Sequence, residues 1–512
     1  MRTGQRTRDR SQSPEAAGSP RATRLPAFAA GPVVAVALVM AAVLTALSGR
    51  YGFHRDELYF VEAGRRLAWG YVDQPPLTPL LARLSTGLFG DTPMGLRVVA
   101  ALLCVAIVVV AALVSRELGA GRGPQVLTAV AVATSSAILT TGHMLATSTF
   151  DNLAWLVLCL LVLRVVRTGD GRWYLAIGAV TGIALLNKFL VVVLVGALLV
   201  ALLAVGPRKA LATWWLAAGV VVALAVAAPT LVWQAAHGWP QLTVASGIST
   251  ENGVENRVTF VPFQFVYLAP PYAALWLAGI WRLLRDPAVR WARALPVTYL
   301  ALVVVMLAVA GKPYYLLGLL IALLAAGAQP VLAWAARGRR AWLVPAAVLL
   351  SLVVDVGAAL PVWPVDSLNP VNAVNKEQGE QVGWPELAGS VAGVWRQIPA
   401  GERGRAVIFT QNYGEAAAID RYGTPFGLPR AYSGHMSFAD WGVPPDSATG
   451  PVLLVRFPAN AELAAQFRGC RVAGTVDNGH GVHNPEQGTL LELCDGPSSP
   501  WSVLWPRLRH FY

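Results

Sequence analysis

His54-Arg55-Asp56-Glu57-Leu58-Tyr59 stands just beyond an apolar run, residues 27–48, and decides how the rest of the chain is read. Two adjacent carboxylates, Asp56 and Glu57, press against a segment long enough to span a bilayer. A second acidic stretch, Asp73-Gln74-Pro75-Pro76, follows. Carboxylates this close to lipid are costly and are kept where they are used. The side of the membrane they face then decides what they can do.

Soluble domains carry roughly 25% charged residues. This chain of 512 residues carries 13%, with 55% hydrophobic and a mean hydropathy of +0.53. It reads as a polytopic membrane protein. The net charge of +12 does not point to nucleic acid, because Arg and Lys punctuate apolar segments instead of forming one basic face. Cys104 and Cys159 lie in apolar runs as small core residues. Cys470 and Cys494 lie in a polar C-terminal region and can pair if that region is outside the cell.

Residues 1–26 form a basic tail expected to be disordered and cytoplasmic. A cleaved signal peptide, ending near Ala46-Leu47-Ser48, is the rival reading of 27–48, but the run exceeds a usual signal core. Further apolar segments lie near 96–115, 123–141, 150–166, 173–187, 189–205, 211–233, 261–281, 294–310, 314–334 and 342–361, which makes about eleven spans. With the N-terminus inside, the inner loops hold Arg116 and Arg122, then Arg164, Arg167 and Arg172, then Arg208 and Lys209, and later the clusters 282–293 and 337–340. The short outer loops hold little beyond Lys188, Arg257 and Lys312. The positive-inside rule is met at every turn, and one missed span would invert the later loops. This topology places the first loop, 50–95, outside, together with residues 362–512.

In the first loop, Leu58, Val61, Ala68 and Trp69 suit one amphipathic helix, and Leu77, Leu80, Leu81, Leu84 and Leu88 suit a second. Both are too short to span and are expected to lie in the outer interface. Residues 27–361 then form a transmembrane domain and 362–512 an extracytoplasmic α/β domain. In the latter, 407–410, 452–457, 471–476 and 489–493 read as strands, and 413–422 and 461–467 as helices. It shows no Gly-rich phosphate loop and no nucleophile elbow.

The outer side gathers His54, Arg55, Asp56, Glu57 and Asp73 from the first loop, His143, Asp151 and Asn152 from the next, and Asn187-Lys188, Gln234, His237 and Trp239. Gly311-Lys312-Pro313-Tyr314-Tyr315 forms another tight outer turn. Lys188 and Lys312 depart from the positive-inside preference. Snorkelling explains a long side chain at the interface, and an anion at the outer surface explains two lysines beside a carboxylate pair. Tyr314 and Tyr315 fit an aromatic belt. A half-buried carboxylate can act as a base. A sugar on a polyprenyl monophosphate would need such a base for the acceptor hydroxyl and positive charge for the departing phosphate.

The stretches 51–59 and 67–77, and then Leu185-Leu186-Asn187-Lys188, Trp233-Gln234, His237-Gly238-Trp239-Pro240, Gly311-Lys312-Pro313-Tyr314-Tyr315, Asn412-Tyr413-Gly414-Glu415-Ala416 and Tyr432-Ser433-Gly434-His435, resemble the glycosyltransferase family 39-like membrane proteins of the GT-C superfamily. Protein O-mannosyltransferases and the lipid A aminoarabinose transferase are better-known relatives. The resemblance implies an all-α GT-C fold of about eleven transmembrane helices with a small extracytoplasmic α/β domain. It also implies inverting transfer from a polyprenyl-phosphate-linked sugar donor, with Asp56 as catalytic base and Glu57 as its orienting partner. Asp73 matches an acidic position near acceptor or sugar. Arg55, Lys188, His237, Lys312, Tyr314 and Tyr315 are the expected substrate contacts. Some relatives use a divalent metal, and His54 and His143 are candidate ligands, but two scattered histidines do not make a site. His435, His480 and His483 read as loop histidines. No inserted sugar-binding domain of the protein mannosyltransferases is found, so a lipid or cell-wall glycan acceptor stands beside protein. The protein is expected in the plasma membrane among membrane lipids.

Two other classes meet the same composition. A transporter or lipid-linked sugar flippase needs polar groups at mid-membrane depth or broken helices with repeated topology, whereas polar groups here gather at one face. A non-catalytic sensor or assembly factor leaves the paired acidic sites unexplained.

Overall fold

The computed structural model describes residues 25–511. The expected basic tail lies outside the described residues except for Leu25 and Pro26. Sixteen helices precede the C-terminal domain. They are α1 (Ala30–Leu47), α2 (Arg55–Arg65), α3 (Leu77–Phe89), α4 (Pro93–Glu117), α5 (Arg122–Ala133), α6 (Ser136–Gly142), α7 (Thr147–Thr168) and α8 (Trp173–Leu185). Then come α9 (Val191–Val205), α10 (Trp214–Ala236), α11 (Pro240–Glu251), α12 (Gly253–Val266), α13 (Ala273–Arg285), α14 (Ala294–Ala308), α15 (Leu317–Ala335) and α16 (Leu343–Ala359).

Among the described residues, six helices are long and apolar enough to cross a membrane, and two bent pairs, α5 with α6 and α12 with the following segment through Arg285, bring the number to eight. The shorter apolar helices α8, α9 and α16 coincide with the three remaining apolar segments read from the sequence. The long spans start where local chemistry allows. Thr92 caps α4 by accepting from Gly95 N–H at 3.0 Å, with Pro93 in the first turn. At its far end α7 stops on Gly169, whose φ of 69° suits glycine.

Helix α15 runs through the middle of the bundle, with Leu317–Ala328 buried throughout. It meets α13 almost backbone to backbone. A Cβ on Gly327 would lie 1.7 Å from Leu275 O, so only glycine permits this crossing. Elsewhere the outer faces are bare hydrocarbon. Val220, Val221 and Val232 on α10, and Leu349, Leu350 and Val353 on α16, are exposed as lipid-facing side chains should be.

The C-terminal domain contains the short α17 (Asn369–Asn372), α18 (Trp384–Trp395), α19 (Tyr413–Tyr422), the short α20 (Ala461–Ala464) and α21 (Trp501–Leu508). Its strands are β1 (Val407–Thr410), β2 (Ala431–Ser433), β3 (Val452–Arg456), β4 (Phe467–Arg468), β5 (Arg471–Thr475), β6 (Leu490–Cys494) and β7 (Gly496–Pro497). The main sheet has the order β2-β1-β3-β6-β5, with β1 parallel to β2 and β3, and β6 antiparallel to β3 and β5. Strands β4 and β7 pair separately. Cys470 and Cys494 are joined as a disulfide. Helix α19 matches the predicted 413–422 span, whereas the helix predicted over 461–467 closes after one turn.

The first loop departs from expectation in two respects, the first being that α2 ends at Arg65, so Ala68 and Trp69 lie beyond the helix they were expected to join. Helix α3 exposes Leu80, Leu84, Leu88 and Phe89, as an interfacial helix should. Helix α2 does not lie on lipid. Its Leu58, Tyr59, Phe60 and Val61 join Leu387 and Val391 of α18, Ala416 and Ile419 of α19, and the sheet residues Ile408 and Leu453 in one hydrophobic core. The C-terminal domain therefore takes helix α2 into its own interior. An amphipathic pattern cannot say whether lipid or protein covers the apolar face.

Candidate active site

Helix α2 begins at His54, whose Nδ1 accepts from Asp56 N–H at 3.1 Å, while Glu57 reaches back to accept from His54 N–H at 2.8 Å. The same Glu57 carboxylate, fully buried, takes two bonds from Arg97 of α4, 2.9 Å from Nε and 2.7 Å from Nη2. It also accepts from Leu145 N–H at 2.9 Å. Arg97, 1% exposed, donates further to Ser48 O at 2.7 Å and Gly52 O at 2.9 Å. One buried ion pair thus ties the C-terminal end of α1, the first loop, α4 and the α6–α7 connection together. Glu57 is occupied by this work and leaves Asp56 as the free member of the pair.

Asp56 faces the other way. Tyr413, the first residue of α19, donates its hydroxyl to Asp56 Oδ1 at 2.6 Å. The Asp56 side chain keeps 35% exposure, so the carboxylate is held by one oxygen and open at the other. Arg55 Nε lies 3.8 Å from the same oxygen, and Arg55 Nη2 lies 3.3 Å from Glu380. The Arg55 stem crosses Gly414, where a Cβ would come within 2.4 Å of Arg55 Cγ. Gly414→Ala is therefore expected to displace Arg55 and loosen the seat of α19 on α2. Limited proteolysis of the folded protein should then cut the 362–512 region faster than in the parent, and unchanged cleavage would refute this reading.

Asp73 accepts from the Tyr59 hydroxyl at 2.5 Å. Burial pushes its carboxyl up to about 7, and the nearby Asp56 charge adds to the rise. Tyr59 is itself boxed in, 4.8 Å from the Tyr413 ring and 5.6 Å from Trp441. Beside Asp73, the Gln74 amide is buried with neither polar atom bonded, which marks it as a group awaiting a partner.

The expected anion-binding turns gather as a second group. Lys188 Nζ stands 4.4 Å from the Tyr315 ring centroid and 5.3 Å from that of Tyr314. Burial pushes its amine down to about 8; Asp151 opposes this and Lys312 adds to it. The turn is pinned by Asn187, which accepts from the Thr78 hydroxyl at 2.7 Å and donates to Thr147 O at 2.9 Å. Burial raises the Tyr314 hydroxyl well above its usual value, and the charges of Glu377, Asp56 and Asp151 add to the rise. His237 stays outside this set. It is exposed at the end of α10, bonded to Trp233 O and stacked on that ring at 4.0 Å.

Among the described residues, one group of His, Cys, Asp and Glu has ligand spacing for a cation: His54, Glu377 and Glu380. Residues 376–381 form a 3₁₀ turn, which eclipses side chains three apart and aims both carboxylates at His54. His54 Nε2 lies 3.0 Å from Glu377 and 3.3 Å from Glu380. A metal on Nε2 requires the ring proton on Nδ1, yet Nδ1 already accepts from Asp56 N–H. The proton therefore sits on Nε2, facing both carboxylates, and a cation held by the trio would take its place. His143 lies apart from this group, its Nε2 facing the Arg97 guanidinium at 3.3 Å.

Comparison with known proteins agrees with this architecture. Residues 73–233 match the family described as dolichyl-phosphate-mannose-protein mannosyltransferase. ArnT from Cupriavidus metallidurans bound to undecaprenyl phosphate superposes with a TM-score of 0.56 at 17% identity, over 91% of this chain and 98% of that one. Its apo state gives the same TM-score and identity, over 90% and 97%. The apo oligosaccharyltransferase of Archaeoglobus fulgidus gives a TM-score of 0.46 at 12% identity, over 76% and 64%. No curated protein sequence matches the chain. A family segment from Asp73 to Trp233 set in an ArnT-like fold bears out the resemblance to the glycosyltransferase family 39-like membrane proteins of the GT-C superfamily.

Proposed function

We propose that this chain transfers a sugar, a hexose or pentose, from a polyprenyl-phosphate donor to an acceptor hydroxyl at the outer face of the plasma membrane, with inversion. The observation that carries this reading is Asp56, anchored through one oxygen by Tyr413 and open at the other. Asp56 takes the proton of the acceptor hydroxyl. The acceptor oxygen bonds to the anomeric carbon on the face opposite the phosphate. The carbon–phosphate-oxygen bond breaks, and polyprenyl phosphate leaves with its electron pair, stabilised by Lys188 and Lys312. Arg55 and Asp73 line the approach, Tyr314 and Tyr315 hold Lys188, and Glu57 positions helix α2 through Arg97. His237 meets substrate only at the rim.

The bound undecaprenyl phosphate of ArnT supports a lipid-linked donor of that chemistry here. The topology proposed with it has eleven crossings, the N-terminus in the cytoplasm and residues 362–512 outside, where a Cys470–Cys494 disulfide is at home. The acceptor is a lipid, a cell-wall glycan or a protein. Mass spectrometry of glycolipids, wall glycans and glycoproteins after deletion of the gene should reveal one missing sugar. The parent gene should restore it and Asp56→Asn should not. An unchanged glycan profile in the deletion strain would overturn the assignment.

A further inference from the structure

The C-terminal domain reaches the first outer loop at several points besides the shared core. Ser437 Oγ accepts from Val72 N–H at 3.0 Å, Gln381 O accepts from Gly52 N–H at 3.0 Å, and Arg421 bonds Asp91 at 2.9 Å. Most of these contacts lie on the shoulders of the site. One lies in its middle, where the Tyr413 hydroxyl meets Asp56 Oδ1 at 2.6 Å. The sequence builds this contact with care. Asn412 and Glu415 form a capping box, Asn412 Oδ1 accepting from Glu415 N–H at 2.9 Å and Glu415 accepting from Asn412 N–H at 3.2 Å. That box fixes Tyr413 at the first turn of α19. The ring is half-buried and braced by Tyr59 at 4.8 Å and His435 at 4.9 Å. Such a short bond from a braced phenol to a carboxylate is charge-assisted and directional.

We infer that the C-terminal domain completes the active site by supplying Tyr413 as the positioning residue for Asp56. This rests on the reading of Asp56 as the base. By donating to Oδ1, Tyr413 fixes the rotamer of the carboxylate and turns Oδ2 toward the acceptor. The domain is then no appended module, since the base is correctly set only when α19 is docked on α2. The charged and titratable groups facing Asp56 are His54 and Arg55 on its own helix and Asp73 in the first loop. Tyr314 faces it from the outer turn, and Tyr413, Glu377 and Glu380 from the C-terminal side. Among the described residues, Tyr413 is the one of these whose side chain hydrogen-bonds the Asp56 carboxylate, with Arg55 Nε farther off at 3.8 Å.

Tyr413→Phe removes one hydroxyl and keeps the ring. The test uses the full chain in nanodiscs with the acceptor fraction that lacks its sugar in the deletion strain and with undecaprenyl-phosphate mannose, or whichever member of a panel of undecaprenyl-phosphate hexoses and pentoses the parent consumes. The rate of undecaprenyl phosphate release is followed across pH. The expected result is a roughly tenfold lower kcat below neutral pH, with the acid limb of the profile moved about one unit upward and activity recovering on its alkaline side. KM for the donor should stay within about twofold, since Tyr413 holds the base and not the lipid phosphate. Thermal unfolding of the same sample separates misfolding from positioning, because a merely structural role lowers the melting temperature without moving the limb. An unmoved pH profile in folded Tyr413→Phe, with Asp56→Asn inactive, overturns the inference and leaves the proposed function standing. Full activity of Asp56→Asn overturns both.

Discussion

Replacing Arg97 with methionine is expected to destabilise the protein by about 3–5 kcal/mol, as removal of one partner of a buried ion pair does. The Glu57 carboxylate is 0% exposed and would keep only the backbone N–H groups of His54 and Leu145. Ser48 O and Gly52 O would lose their donor as well. The strain falls where α1, the first loop and α4 meet, so the α2 seat should loosen first. Unfolding by graded denaturant in detergent measures the loss. The double variant Glu57→Gln with Arg97→Met should recover part of it, because no charge is then left buried alone. A stability within 1 kcal/mol of the parent for Arg97→Met would contradict the role given to this pair.

Asp56→Asn is expected to lower transfer by at least about a hundredfold, within the range contributed by a positioned base. Asparagine keeps the size of the side chain and can still accept from the Tyr413 hydroxyl, so the fold and donor binding should survive. The loss should therefore appear in kcat with KM little changed, the signature of an interaction needed only in the chemical step. A parent-like kcat would remove Asp56 from the chemistry whatever else the site does.

The apolar segments were legible because a bilayer leaves few options. Runs of Ala, Val and Leu with charges only at their ends become helices, and every predicted segment contains one. Their breaks were less legible. The 59° bend between α5 and α6 and the 79° bend beyond α12 follow from packing, not from the apolar run. In the C-terminal domain, the short apolar or alternating runs at β1, β3, β5 and β6 announced themselves. The three-residue β2 and the helix α18 did not, since neither stands out in so apolar a chain.

The site divides in the same way. Asp56 could be singled out because a carboxylate beside a membrane asks for a reason. The partner of Glu57 was also within reach, because Arg97 is the lone charge in the first twenty residues of α4, and such a charge requires a counter-ion nearby. Tyr413 was not. It lies 357 residues from Asp56, and its local sequence announces a helix start without saying what the ring touches. The covering of α2 by the C-terminal domain hid the same way, for an amphipathic face reads alike against lipid or protein. His237 shows the converse, a polar residue in a recognisable motif that the fold leaves exposed against Trp233.

The central claim is that a sugar moves covalently from a polyprenyl phosphate at the outer face. It is tested most directly in proteoliposomes loaded with a radiolabelled undecaprenyl-phosphate sugar and supplied with the acceptor fraction that lacks its sugar in the deletion strain. The account predicts free undecaprenyl phosphate and glycosylated acceptor in one-to-one yield, with inverted anomeric configuration, from the parent chain and not from Asp56→Asn. Movement of intact sugar lipid between leaflets without formation of either product would contradict it.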